Sequence, residues 1–177
     1  ENLRNPGGAS HTPGLQGLWR THAPWCAEPE TVRSQEINML IQLTYASRTS
    51  RVLGPADIKD ILGASQRNNA RAGITGALCL NHGIFLQQLE GDRTAVNALY
   101  HRLLKDTRHR DTAVLDFGEI PHRRFTSWSM GLLTSLDTNR QLFLKYSSSV
   151  DFDPYSMSTS TLRSFFDEVM QNVRWLE

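Results

Sequence analysis

The chain has 177 residues and balances 19 Lys+Arg against 18 Asp+Glu, for a formal net charge of +1. That length allows one domain with a real core, because a chain of this size buries roughly 70% of the surface its unfolded form exposes. The balance of charge gives no field for steering toward nucleic acid or an anionic membrane. Two cysteines, Cys26 and Cys79, make no disulfide framework, and six scattered histidines lack metal-ligand spacing.

No apolar run is long enough to span a bilayer, and the opening residues lack a basic-then-apolar export signal, so a cytoplasmic protein is expected. Residues 1–35 carry Pro6-Gly7-Gly8, Pro13-Gly14, Pro24 and Pro29 without a helix or strand period. They read as an irregular N-terminal extension, with Trp19 and Trp25 available to dock on the main domain.

From residue 38 the periodicity becomes readable. Met39, Ile41, Leu43 and Tyr45 alternate as on a half-buried strand. Pro55 opens a helix with Ile58, Ile61, Leu62 and Ser65 on one face, and Gly73 follows its end. Asn68 and Asn69 fall near that end, where one Asn commonly caps. Strands over 74–80 and 83–90 are joined through Asn81-His82-Gly83, a hairpin signal. A helix over 93–106 aligns Val96, Leu99, Tyr100 and Leu103, and strands over 112–120 and 126–134 flank Pro121. Asp137 is placed to cap a short helix reaching Tyr146. A last helix carries Leu162, Phe165, Phe166, Val169, Met170 and Val173 as an apolar stripe, which must bury against a sheet face or another subunit.

The order predicts an α+β fold: a ferredoxin-like five-stranded mixed sheet with two helices on one face and C-terminal helices on the other. The divisions are 1–35, a central domain over 36–135, and a helical extension over 136–177. The basic runs Arg108-His109-Arg110 and His122-Arg123-Arg124 read as solvated surface.

A fold of this kind does not name a function, so the site must decide. Phe85, Gln87 and Leu89 share a strand face, and an amide in an apolar row is expensive to bury without partners. Tyr45 ends the apolar face of the first strand, and its hydroxyl also wants a partner. Trp128 and Met130 share a face of the last predicted strand. Singly, each has an ordinary explanation as core or cap; together, in this order, they do not.

The segments Leu43-Thr44-Tyr45-Ala46-Ser47, Ser65-Gln66-Arg67-Asn68-Asn69, Ile74-Thr75-Gly76, Phe85-Leu86-Gln87-Gln88-Leu89-Glu90-Gly91, Asp106-Thr107-Arg108-His109 and Trp128-Ser129-Met130 resemble the successive signature blocks of the BLUF (blue-light-using flavin) family. The likeness covers about residues 38–134. The tail, with Leu144-Lys145-Tyr146-Ser147, is similar to the extra helices of short PixD-type members.

The resemblance implies a blue-light photoreceptor without enzymatic activity that binds FAD non-covalently, with FMN or riboflavin as alternatives. By the same likeness Tyr45 gives an electron and a proton to the excited flavin, and Gln87 bridges Tyr45 and the flavin edge. Asn69, with Asn68 beside it, holds the polar edge of the ring. Trp128 and Met130 match a pair that exchanges places near the flavin. Ile61, Ser65, Phe85 and Leu103 line the ring and ribityl pocket, while Arg102, Asp106, Arg108 and His109 match positions toward the phosphate end. The implied output is a separate downstream signalling protein, with no nucleic acid and no membrane as partner, and the apolar terminal helix points to a homo-oligomer.

Three other readings fit less well. A ferredoxin-like RNA- or ligand-binding module would show an aromatic, basic block on the sheet, and none is present. A hydrolase or transferase would show a nucleophile–base pair or a P-loop. A cysteine–flavin adduct would fall to Cys79, which sits among Ala77, Leu78 and Leu80 and reads as a small buried hydrophobe.

Overall fold

The structure, a computed structural model, describes residues 39–134, 140–147 and 151–172, all within the compact unit Ile37–Glu177. The expected extension over 1–35 lies outside the described residues, as do Asp137 and Val173. Along the chain run β1 (Leu40–Thr49), α1 (Pro55–Arg71), β2 (Thr75–Asn81), β3 (Ile84–Asp92), α2 (Arg93–Leu103), β4 (His109–Glu119), β5 (Gly131–Thr134), α3 (Arg140–Lys145) and α4 (Thr159–Asn172). The sheet order is β4-β1-β3-β2-β5. β1 pairs antiparallel with β3 and β4, β2 pairs antiparallel with β3, and β5 lies parallel to β2. This is the expected ferredoxin-like arrangement with one strand added at the β2 edge.

Local chemistry sets the boundaries. Pro55 starts α1, where its missing N–H costs nothing, and Asp57 accepts the N–H of Gly54 at 2.9 Å. The helix ends in a Schellman arrangement. Gly73, at φ +63°, donates to the Ala70 carbonyl, and Ile74 donates to the Asn69 carbonyl at 2.9 Å. The C-cap is therefore Ala72, followed by Gly73 in the left-handed conformation, and neither asparagine. Asp92 caps α2 by accepting the N–H groups of Thr94 and Ala95. Asn81 and Ile84 pair across a two-residue turn in which His82 and Gly83 both have positive φ, the geometry that closes a tight hairpin.

The alternation of the strands divides the core in two. On one face Ile41, Leu43, Tyr45, Leu78, Phe85 and Leu89 pack under α1 and α2 with Leu62 and Val96. On the other, Ala77, Cys79, Leu86 and Leu133 pack with Phe143 of α3 and Leu162, Phe165, Phe166 and Val169 of α4. The α4 stripe thus buries against the second sheet face of its own chain, with Met170 partly buried beside it.

Two expected elements change. The strand expected over 126–134 shortens to Gly131–Thr134, because α1 takes the polar groups that a ladder would use. Asn69 donates to the Ser129 carbonyl at 3.1 Å, Gln66 donates to the Met130 carbonyl at 3.2 Å, and the Ser129 hydroxyl donates to the Gln66 carbonyl at 2.9 Å. The helix expected to reach 106 stops at Leu103, and a turn closed by His109 N–H on the Asp106 carbonyl starts β4 at His109.

Candidate functional site

Tyr45 and Gln87 are direct cross-strand partners in the β1–β3 register, both on the face under α1 and α2. That register delivers the Tyr45 hydroxyl to Gln87, where it donates to Oε1. Burial, with Tyr100 and Asp106 nearby, raises the Tyr45 pKa well above its ordinary value, so the phenol stays protonated and remains a donor. The Gln87 nitrogen lies 3.4 Å from Met130 Sδ, a weak acceptor. Its second N–H is therefore available to a ligand beside it.

Tyr45 and Gln87 line a cleft between α1 and α2 with a cavity volume of about 190 Å³, and Met130, expected to contact the cofactor, lies outside its lining. Ile61, Leu78, Phe85, Leu99 and Leu103 make apolar walls. Ser65, Asn68, Asn69, Tyr45 and Gln87 supply polar edges. Arg102, Asp106, Arg108 and His109 stand at the rim. Arg108 grips Asp106 through Nη2 at 2.6 Å and Nε at 3.0 Å, and that pairing pulls the Asp106 pKa down to about 2. His109 shares a 2.8 Å hydrogen bond with the Ser47 hydroxyl and lies against the Phe85 ring at 5.0 Å. Its pKa is lowered, chiefly by desolvation.

Twelve of the residues singled out by sequence surround this one cleft: Tyr45, Ile61, Ser65, Asn68, Asn69, Phe85, Gln87, Arg102, Leu103, Asp106, Arg108 and His109. Trp128 and Met130 separate, contrary to their expected shared face, because the segment holding them is not a strand. Met130 is fully buried in the core under α1 and touches Gln87. Trp128 packs with the second core and donates from Nε1 to the Gly76 carbonyl at 3.2 Å. Sequence reading missed Ala64, Leu78 and Leu99 in the lining. Each had a signal: Ala64 is one turn from Ile61, Leu99 one turn from Leu103, and Leu78 faces Gln87 across β2–β3.

The residues present suit a flavin. A flat, largely apolar ring with a hydrogen-bonding rim matches apolar walls and a few fixed amides, and an amide with a donor to spare sits at the inner edge. Cys79 does not reach this cleft: it lies in the second core on the opposite sheet face, and burial raises its thiol pKa far above the ordinary value. Among the described residues no group of three or more His, Cys, Asp or Glu could hold a metal ion, and no helix is long and apolar enough to cross a membrane.

Comparison with known proteins points the same way. The family described as BLUF, sensors of blue-light using FAD, matches residues 40–131. The photoactivated adenylate cyclase subunit beta of Euglena gracilis is 36% identical over 92 residues, which is 51% of this chain and 11% of that protein. The chain thus spans only about a tenth of the length of the curated relatives it matches. Among solved structures, the photo-activated state of BlsA superposes with a TM-score of 0.71 at 27% identity, covering 78% of this chain and 99% of that one. The dark-state structure of BlrB, a BLUF protein, gives 0.62 at 34% identity, covering 73% and 96%. The chain belongs to the BLUF family, the flavin-based sensors of blue light whose chromophore is FAD.

Proposed function

We propose that Tyr45 and Gln87 form the light-operated switch of this sensor, and that Met130, β5 and the C-terminal helices relay its state to a partner protein. The observation that carries the reading is the buried chain of contacts from the Tyr45 hydroxyl to Gln87 Oε1 and from Gln87 Nε2 to Met130 Sδ. When bound, the flavin supplies the absorption of blue light and an excited ring that accepts an electron. Asn69 and Asn68 would hold the polar edge of the ring, Ile61, Leu99 and Leu103 would exclude water from it, and Arg102, Arg108 and His109 would serve the phosphate end. Tyr45 would supply the electron and, through the hydroxyl it points at Gln87, the proton, and would take both back once the amide has moved, so that neither Tyr45 nor the ring ends changed in oxidation state. Gln87 carries donor and acceptor on one planar group, so rotation or tautomerisation of the amide re-forms its bonds.

Met130 is next in line. It contacts the amide, and the residue after it opens β5, whose Leu133 packs in the core shared with α4. A change of hydrogen bonding at Gln87 thereby acts on a segment continuous with the output helices. The chain itself is read as a sensor and not as a catalyst, and the α4 stripe that pointed to a homo-oligomer is spent on its own sheet. Its relatives include photoactivated and light-regulated adenylate cyclases, which favours an effector as the receiving component.

Size-exclusion chromatography with light scattering, run dark and lit, tests the relay. Met130→Ala should keep the light-induced red shift and blunt any light-dependent change of assembly or partner binding. A full wild-type response in Met130→Ala would place the output route elsewhere.

A further inference from the structure

Glu90 is a fully buried carboxylate that takes no part in the cleft. It lies on β3 three residues beyond Gln87, on the opposite sheet face. Its Oε2 accepts the N–H groups of Arg124 at 2.9 Å and Phe125 at 3.2 Å. Arg123 binds the same corner: its guanidinium donates to the Glu90 carbonyl at 2.7 Å, the Gly73 carbonyl at 2.7 Å and the Thr75 hydroxyl at 3.0 Å. Of the basic run expected to be solvated surface, His122 is exposed, while Arg123 and Arg124 are half-buried and spent on this corner.

Burial raises the Glu90 pKa, while the two backbone N–H groups and the guanidinia of Arg124 and Arg123 oppose that rise. A buried carboxylate is a costly way to fill space, and an apolar residue would pack there without that cost. What the carboxylate adds is direction. It fixes the backbone where the irregular segment of residues 121–130 leaves the sheet, and α1 fixes the same segment at Ser129 and Met130. Between these anchors both Trp128 and Met130 bear on Gly76. Trp128 donates to its carbonyl, and a Cβ built there would meet Met130 Cε at 3.3 Å. A slide of the segment would move Met130 against Gln87.

We infer that Glu90, with Arg123, is a positioning residue that sets the seat of Met130 against Gln87 and so governs how long the lit state lasts. This rests on the reading of Gln87 as the switch. The test uses the full flavin-loaded chain as wild type, Glu90→Gln, Met130→Leu and the double variant, recording the light-minus-dark spectrum and the decay of the lit state in darkness. Glu90→Gln should keep its flavin and its red shift but change the decay rate at least about threefold, the scale expected where residues act through one hydrogen-bonded segment. In the Met130→Leu background the same substitution should change the rate less than half as much. Arg123→Gln, which leaves the carboxylate in place, should shift the decay in the same direction and serves where Glu90→Gln fails to fold. Unchanged decay, or an equal factor in both backgrounds, overturns the clamp alone. A wild type with no red shift overturns the Gln87 reading and the clamp with it.

Discussion

Replacing Tyr45 by Phe removes one oxygen atom and keeps the ring that packs at 5.6 Å from Tyr100 in a fully buried position. The loss is then confined to the hydrogen bond on Gln87 Oε1. Because that acceptor is buried, leaving it without its donor costs about 1–3 kcal/mol. For a chain of this size each kcal/mol moves the melting temperature by about 2–4 °C, so a fall of roughly 2–12 °C is expected. The apolar walls and Asn69 are untouched, and the variant should keep its flavin. The hydroxyl is also the only proton that Tyr45 can give, and its raised pKa means that no ordinary pH supplies the phenolate instead. The red-shifted state should therefore be abolished. Thermal melting and a light-minus-dark absorption spectrum on one preparation read both effects. A full red shift in Tyr45→Phe refutes the proton-and-electron role, and an unchanged melting temperature refutes the value placed on the buried hydrogen bond.

Asn69→Ala removes a buried amide that tethers Ser129 and edges the cleft. Flavin affinity should fall by about 1–3 kcal/mol, roughly 5- to 150-fold in Kd by fluorescence titration, and an unchanged affinity would reduce Asn69 to a loop tether. Phe165→Ala empties a fully buried site among Phe143, Phe152 and Phe166, and urea unfolding should show a loss of about 3–5 kcal/mol. A loss below about 1 kcal/mol would mean that α4 does not depend on this packing. His109 is depressed in the fold, so the unfolded chain takes up its proton first as pH falls. Its contribution to stability is whole above the unfolded value near ~6.5 and is lost as pH drops through the folded one. Wild type should accordingly lose more melting temperature between about pH 7.5 and about pH 5.5 than His109→Gln, and equal losses would contradict the assignment.

The elements that could be read from sequence are those whose local chemistry and tertiary role agree. Pro55 and Gly73 bracket α1, the His82-Gly83 turn closes the hairpin, and the α4 stripe buries where its period says it must. The segment 121–130 misleads for a physical reason: Trp128 and Met130 are spaced like strand residues, yet α1 side chains take the carbonyls at 129 and 130, and the two side chains enter different cores. Ala64, Leu78 and Leu99 escaped notice because an apolar wall has no chemical signature apart from its position. The burial of Glu90 has no local signal in the sequence: only the return of residues 123–125 to β3 shows what holds it.

The measurement that bears most directly on the light-driven switch is the absorption spectrum of the purified wild-type chain in darkness, under blue light and again after a dark interval. A rearranged hydrogen bond around an intact flavin predicts a displacement of the blue absorption band to longer wavelength, with little loss of intensity and a full return in the dark. A band that does not move, or one that bleaches as a covalent adduct would make it, would contradict a switch built from Tyr45 and Gln87.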